Sequence, residues 1–346
     1  MSKLNLGSYG RDFRGKFTNV NRRGLSTAIF GLLLVGALAF TACDNGGTPP
    51  APGGRWIAVG HDGKLAVSDD GETWRQKNSG FAPPSLCYIG GVAYGGGKWI
   101  IINYFDGRIA VSNDNGETWA QKDIGFSSLG GVAYGDGKWV VEGYNRLPAG
   151  NKIAVSSNGG ETWTLKDPPS DFLHIRSVAY GGGKWVIGGD GGKLAVSDND
   201  GETWALKESN FGSYGIVGVT YANNRWIAVG MAGKLAVSDD GGESWTLKDS
   251  SLSGGIVDVA YGGGKWVFVG GTAIAVSGNN GETWERKDTP LNTFPNLSGV
   301  AYGKGKFVAV GNEGAIVVSS DGGETWARKD GGFGDTQIEG GVAYGE

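Results

Sequence analysis

The chain has 346 residues, with 67 Gly, 13 Trp, 10 Pro and 2 Cys. That much Gly with so little Pro and no Gly-X-Y period excludes collagen and plain disorder, and two cysteines exclude a disulfide scaffold. Lys and Arg number 31 against 35 Asp and Glu; residues 1–43 hold six and one of these, so the rest carries 25 against 34, a net of −9 that disfavours nucleic acid and anionic lipid as main partners.

In chain order, the first element is a basic stretch (Arg11, Arg14, Lys16, Arg22, Arg23) followed by an apolar run over residues 25–40. Basic, then apolar, then small residues is the pattern of an export signal, and the run is short for a spanning helix. An N-terminal anchor that stays uncleaved is the alternative. Residues 44–54, rich in Gly and Pro, read as a flexible tether. The domain organisation expected is therefore a signal over 1–43, a tether over 44–54 and one folded domain over 55–346. Within that domain Cys87 reads as a small buried hydrophobe, not a nucleophile.

The end of the signal, Phe40-Thr41-Ala42-Cys43, resembles a bacterial lipobox, with Phe40 where Leu is usual. The resemblance implies acylation of Cys43 and anchoring of an exported lipoprotein to a bacterial membrane or the outer surface, with the N-terminal lipid as the only membrane attachment. Arg22-Arg23 with Leu25 faintly resembles a twin-arginine signal.

From residue 55 onward one unit repeats seven times. Aligned on Trp74, Trp119, Trp163, Trp204, Trp245, Trp284 and Trp326, the spacings are 45, 44, 41, 41, 39 and 42 residues. That period suits a four-stranded propeller blade. Each unit holds four short runs of β-branched and aromatic residues punctuated by Gly, Asn and Asp, as in Val92-Ala93-Tyr94, Trp99-Ile100-Ile101-Ile102, Arg108-Ile109-Ala110-Val111-Ser112 and Thr118-Trp119-Ala120-Gln121-Lys122. No run after residue 54 has helical periodicity. The domain begins with a second strand, Trp56-Ile57-Ala58-Val59, and ends with a first strand, Val342-Ala343-Tyr344. The expectation is all-β: a single seven-bladed β-propeller of four-stranded antiparallel blades, with the last strand closing the first blade and removing the sheet edges. No capping unit of an open solenoid is visible.

Between third and fourth strands each unit carries a fixed turn, for example Ser112-Asn113-Asp114-Asn115-Gly116-Glu117-Thr118-Trp119. This turn resembles the Asp-box (BNR repeat) of sialidases, sortilin-type receptors, some xyloglucanases and the photosystem II assembly factor, over residues 55–346. The box positions are Asp70, Asp114, Asn158, Asn199, Asp240, Asn279 and Asp321. A short Asp or Asn side chain accepts backbone N–H bonds in its own turn, so Asn serves as well. The first copy, Ser68 to Trp74, is one residue short, and distortion is expected there. Asp198-Asn199-Asp200-Gly201 looks like a calcium loop, but the EF-hand pattern would need Gly at Thr203 and Glu at Ser209. No metal site and no cofactor are expected. The resemblance implies that the box turns lie on the face opposite any active or binding site.

What all units share serves the blade, and what one unit alone has is free for other work. The shared Lys98, Lys138, Lys184 and Lys265 read as solvated turn residues. Variation concentrates in the loops that join fourth strands to first strands (78–90, 123–130, 167–176, 208–217, 249–257, 288–298, 330–340) and second strands to third strands, on one face. Phe81, Phe126, Phe172, Phe211, Phe294 and Phe333 recur once per connecting loop and read as packing plugs. The idiosyncratic residues are the candidate ligand contacts: Tyr104, Phe105, Glu142, Tyr144, Arg146, Arg176, Tyr214 and Asp258.

The resemblance to sialidases implies three arginines, a Tyr–Glu pair and an Asp acid. The domain has eight arginines, of which only Arg146 and Arg176 depart from the repeat, and Arg146-Leu147-Pro148 only faintly resembles a sialidase motif. The reading is a non-catalytic cell-envelope binding or scaffold module, monomeric, that recognises a protein or glycan through its variable loop face. A sialidase-like or other glycoside hydrolase, with Glu142 and Asp258 as its acids, is the alternative.

Overall fold

The computed structural model describes residues 53–81, 87–291, 296–334 and 340–346. The export signal, the lipidation expected at Cys43, nearly all of the tether and Phe294 lie outside the described residues. The described chain forms seven four-stranded antiparallel sheets arranged as a ring of blades, a seven-bladed β-propeller.

Blade 1 is assembled from both ends of the chain: Val342–Gly345, Arg55–Val59, Lys64–Ser68 and Arg75–Asn78, from the inside outward. Blade 2 holds Ile89–Gly95, Lys98–Asn103, Arg108–Ser112 and Ala120–Asp123, and blade 3 holds Ser128–Gly135, Lys138–Arg146, Ala149–Ser156 and Thr164–Lys166. Blades 4 to 7 follow in the same order over 175–208, 216–248, 258–287 and 297–330. Consecutive first strands pack on one another, and Val342–Gly345 packs on Ile89–Gly95, so first strands surround the central channel. The expected closure is present in register, with Trp56 opposite Tyr344 and Ala58 opposite Val342.

The local chemistry explains the regularity. First and second strands meet in two-residue turns with positive φ at both positions, such as Gly96 (55°) with Gly97 (74°) and Asn223 (49°) with Asn224 (57°). That is the type I′ hairpin that Gly and Asn favour. Second and third strands are almost wholly buried, whereas fourth strands are mostly exposed. The middle strands are covered on both faces by neighbouring blades, so their sequences are unbroken apolar runs instead of alternating ones. In the Ser-to-Trp turn, Asp240 Oδ1 accepts the Ser244 N–H at 2.9 Å, Ser238 Oγ accepts the Gly242 N–H at 2.9 Å, and the Trp245 indole N–H donates to the Gly242 carbonyl at 3.0 Å. Asn158, Asn199 and Asn279 accept the equivalent amide at 2.9–3.0 Å. The shortened first copy keeps the pattern by tightening, so that Asp70 Oδ1 takes the N–H groups of Glu72 at 2.7 Å and Thr73 at 2.8 Å.

Blades are joined by two devices. The Tyr of each first strand packs at a tilt on the Trp or Phe of its own second strand, and at six of the seven junctions it also fills the space beside a Gly of the preceding blade. A Cβ on Gly135 would sit 2.1 Å from the Tyr180 ring, and one on Gly345 would sit 2.2 Å from Tyr94, which closes the circle. The second device corrects the expectation that Lys98, Lys138, Lys184 and Lys265 are merely solvated. Lys184 donates to Glu243 Oε1 at 2.8 Å in the next blade, Lys265 donates to Glu324 Oε1 at 2.5 Å, Lys98 reaches the Gly159 carbonyl at 3.2 Å, and Lys138 pairs with Asp200. A fourth-strand Lys takes a neighbouring carboxylate oxygen each time, as Lys166 does from Glu202 at 2.6 Å.

The loop plugs behave as expected where they are described: Phe81, Phe126, Phe172, Phe211 and Phe333 are buried. In blade 6 the corresponding position is Leu291, also buried. Cys87 is buried as expected, and burial pushes its thiol up to about 11. No helix among the described residues is long and apolar enough to cross a membrane.

Candidate functional site: the channel mouth on the loop face

Second-to-third loops and fourth-to-first loops meet around one mouth of the channel, stitched by a repeated backbone bond. Tyr104 N–H donates to the Tyr88 carbonyl at 2.8 Å, Asp190 to His174 at 3.0 Å, Met231 to Gly215 at 3.1 Å and Asn312 to Asn296 at 2.9 Å. The rim backbone therefore repeats while its side chains do not.

On blades 1 to 4 the rim is aromatic and charged. His61 stacks on Tyr88 with ring centroids 4.4 Å apart, Tyr88 meets Tyr104 at 5.8 Å and Phe105 at 6.1 Å, and Tyr104 meets Phe105 edge-on at 5.1 Å. Tyr144 lies 6.0 Å from His174. Arg176, at the bulge position between Ile175 and Ser177, directs its guanidinium onto Asp190, and His174 Nδ1 lies 3.0 Å from the other Asp190 oxygen. Burial works to raise the Asp190 carboxyl, but Arg176 and then His174 hold it below the usual carboxylate range. On blades 5 to 7 the same rim positions are Met231, Gly271 and Asn312.

Below the rim are two buried carboxyls. Glu142 occupies the second-strand position that holds Val59, Ile102, Gly188, Val229, Val269 and Val310 in the other blades. It is 1% exposed, and burial pushes its carboxyl well above the ordinary value, with Arg176 opposing. Its Oε1 has no hydrogen-bond partner. Asp258, on the blade 6 first strand, is equally buried, and desolvation pushes its carboxyl up as well. Its two oxygens, however, are both used: the Val259 N–H donates to Oδ1 at 2.8 Å and the Val300 N–H of the next blade donates to Oδ2 at 2.9 Å. Ser177 makes the same kind of latch, accepting the Val219 N–H of its neighbour at 3.0 Å.

Of the sequence-derived candidates, Tyr104, Phe105, Glu142, Tyr144 and Arg176 come from three consecutive blades and gather at this mouth. Three do not join them. Asp258 is bound into the inner wall by its two amides. Arg146 is exposed at the end of the long 138–156 hairpin, beside Leu147, which is 93% exposed. Tyr214 lies in the loop after blade 4, with Lys234 Nζ 5.7 Å from its ring centre. Sequence reading missed His61, Tyr88, His174 and Asp190. Their signal was register: each sits at the repeat position of a residue that was singled out or one step from it. Five of the eight arginines are held in ion pairs elsewhere or along the rim: Arg55 and Arg75 to Asp69, Arg108 to Asp106, Arg176 to Asp190 and Arg225 to Asp239. No three arginines converge at the mouth among the described residues. No cluster of metal-ligating side chains occurs among them either.

No family model matches the sequence, and no curated protein sequence matches it. Solved structures do. The chain is similar to YCF48 from Cyanidioschyzon merolae, at 17% identity and a TM-score of 0.56, covering 71% of this chain and 86% of that one. It is similar to YCF48 bound to D1 peptide, at 17% identity and 0.57, covering 71% and 82%. It is also similar to the computationally designed Ika8 protein, at 12% identity and 0.55, covering 81% and 89%. At these identities the shared feature is the propeller fold.

Proposed function

We propose that this chain is a non-catalytic binding module of the bacterial cell envelope that recognises a protein partner through the channel mouth on its loop face. One observation carries the reading. A rim whose backbone bonding repeats on blades 2, 4, 5 and 7 bears aromatic and charged side chains on blades 1 to 4 and plain ones on blades 5 to 7. Framework repetition accounts for the shared residues but not for a one-sided cluster of half-exposed aromatics, and such surfaces are the kind that protein partners use. A YCF48 structure of the same fold carries a D1 peptide, which supports a peptide or protein as the ligand class here. The lipobox-like Cys43 and the basic-apolar segment before it support export and a lipid anchor.

The test is a pull-down from envelope extract with the intact chain, its Tyr104→Ala/Phe105→Ala variant and an Asn312→Ala control on the plain side. The expected result is a partner captured by the intact chain and by the control and lost by the double variant. Capture that survives the double variant would move the binding surface elsewhere. Turnover of 4-methylumbelliferyl glycosides, sialoside included, that vanishes in Glu142→Gln would replace the binder with the glycosidase alternative.

A further inference from the structure

Glu142 and Asp258 are a controlled comparison within one molecule. Both are acidic, both are about 1% exposed, and both lie on inner strands of the ring. Asp258 shows what a structural carboxyl requires here, a backbone N–H on each oxygen. Glu142 has nothing of the kind, and its Oε1 is an orphan. An unpaired buried polar atom destabilises a folded protein, and the other blades avoid that cost with Val, Ile or Gly at this position.

The side chain leans toward the mouth. Glu142 faces Gly131 across the hairpin, yet Oε1 lies nearer the Cβ position of Gly130 (2.2 Å) than that of Gly131 (3.1 Å), and Gly130 is the residue closer to the rim. Neither glycine puts a side chain over it. Tyr144, two residues along the same strand, points to the same face. From blade 2, the Tyr104 carbonyl accepts the Leu129 N–H at 3.2 Å, and the Tyr104 phenol feels the charges of both Arg176 and Glu142. Arg176, the guanidinium that acts on Glu142, is already paired with Asp190. If Glu142 ionises, the mouth lacks one positive charge.

We propose that the Glu142 carboxyl is the receptor for a single ammonium group, a lysine side chain of a protein partner, brought in beside Tyr104 and Tyr144. This rests on the mouth being a protein-binding surface and names the chemistry it selects. The aromatic faces favour a cation, whereas an anion would meet a carboxyl and an arginine already spoken for by Asp190. The carboxyl is covered in the free protein, so the lysine displaces rim side chains as it enters. Burial without a hydrogen-bond partner favours the protonated form of the Glu142 carboxyl; on binding, that proton passes to the solvent and the carboxylate that remains pairs with the ammonium. Burial of the pair therefore releases one proton.

Isothermal titration of the intact chain with a capped pentapeptide carrying one central lysine, in phosphate and in Tris at pH 7, reads both affinity and proton release. The expected result is saturable binding with close to one proton released. Glu142→Gln should weaken it by roughly 30-fold or more and abolish the release, and the Nε-acetylated peptide should not bind the native chain. Equal binding of the lysine and acetyl-lysine peptides, binding by Glu142→Gln that matches the native chain, or no binding of the lysine peptide would each overturn the inference. A partner captured by the intact chain and lost by Tyr104→Ala/Phe105→Ala, but captured equally by Glu142→Gln, would keep the binding mouth and discard the ammonium site. Circular dichroism and the melting temperature of Glu142→Gln separate lost binding from lost folding.

Discussion

Glu72 Oε1 accepts a hydrogen bond from Lys306 Nζ at 2.8 Å, joining two residues 234 positions apart in the chain. The other Glu72 oxygen pairs with Lys329. This is the junction between blade 7 and blade 1, and it repeats at four other blade boundaries: Glu117 with Arg55 and Lys77, Glu243 with Lys184 and Lys207, Glu282 with Arg225 and Lys248, and Glu324 with Lys265 and Lys287. Ring closure thus rests on an ionic latch as well as on the strand supplied by the C-terminus.

The latch makes stability acid-sensitive. Glu72, Glu117, Glu243, Glu282 and Glu324 are all held below the ordinary Glu value, chiefly by hydrogen bonds from their Lys or Arg partners. A carboxyl lowered in the folded state contributes stability above its unfolded value of 4.5 and loses it as pH falls through the lowered value. The melting temperature should hold on descending to about pH 5 and then drop below about pH 4.5. Glu72→Gln should flatten part of that drop and, at neutral pH, cost about 0.5–1 kcal/mol, the scale of a partly exposed pair. A melting temperature unchanged by Glu72→Gln at pH 7 would mean that the closing latch contributes nothing.

Glu142 and Asp258 act in the opposite direction. Each is raised by burial, so the folded state keeps a proton that the unfolded chain gives up, and stability declines as pH rises from the ordinary carboxyl range through the raised value. Replacing Glu142 by the Val of blades 1, 5, 6 and 7 removes this term. Glu142→Val should stabilise the fold by about 1–3 kcal/mol at pH 8 and by less at pH 4, read from urea unfolding. Destabilisation at pH 8 would show that the carboxyl has a structural partner.

Asp258→Ala should destabilise by about 1–3 kcal/mol, because it strands the Val300 and Val259 amides in the inner wall. Asp258→Ser should recover part of the loss, as Ser177 already latches blade 4 to blade 5 with one hydroxyl. Chemical denaturation of the two variants side by side decides it.

In the Ser-to-Trp turns, Asp240→Asn should be nearly neutral and Asp240→Ala should cost about 1–2 kcal/mol. The turn holds the Asp240 carboxyl down at about 2 through its Ser244 bonds, yet Asn279 accepts the equivalent amide at 3.0 Å without a charge. Equal losses in the two variants would mean that the charge, not the geometry, holds the turn.

Gly135→Val tests the other junction. The Tyr180 ring occupies the space in which the new side chain would begin, so unfolding should come earlier by about 3 kcal/mol or more. Blade 5 carries Ala222 at this register, so a single methyl is accommodated at one junction of the ring.

Much of this molecule was readable in its letters. Trp spacing set the blade count, and the offset of Trp56 and Tyr344 within the repeat set the closure, because a domain that opens on a second strand and closes on a first strand can complete one blade from both ends. Gly and Asn pairs marked the hairpins because positive φ at two successive positions selects for them. The shared Lys were visible but misread as solvated. Their partners lie one blade on, and nothing in a single unit tells an exposed lysine from one that reaches a neighbouring carboxylate.

Repetition alone also separated framework from idiosyncrasy, since whatever all blades keep must satisfy the same packing and backbone bonds. What it could not do was sort the idiosyncratic residues. Asp258 and Glu142 look alike as letters, both acids where others are small or apolar. Only the folded ring shows that neighbouring amides satisfy one and leave the other unmet, because hydrogen bonding between blades depends on which backbone groups the circular packing brings within 3 Å. The convergence of Tyr104, Tyr144 and Arg176 on one side of the mouth, with Arg146 and Tyr214 left outside it, was decided by that same closure.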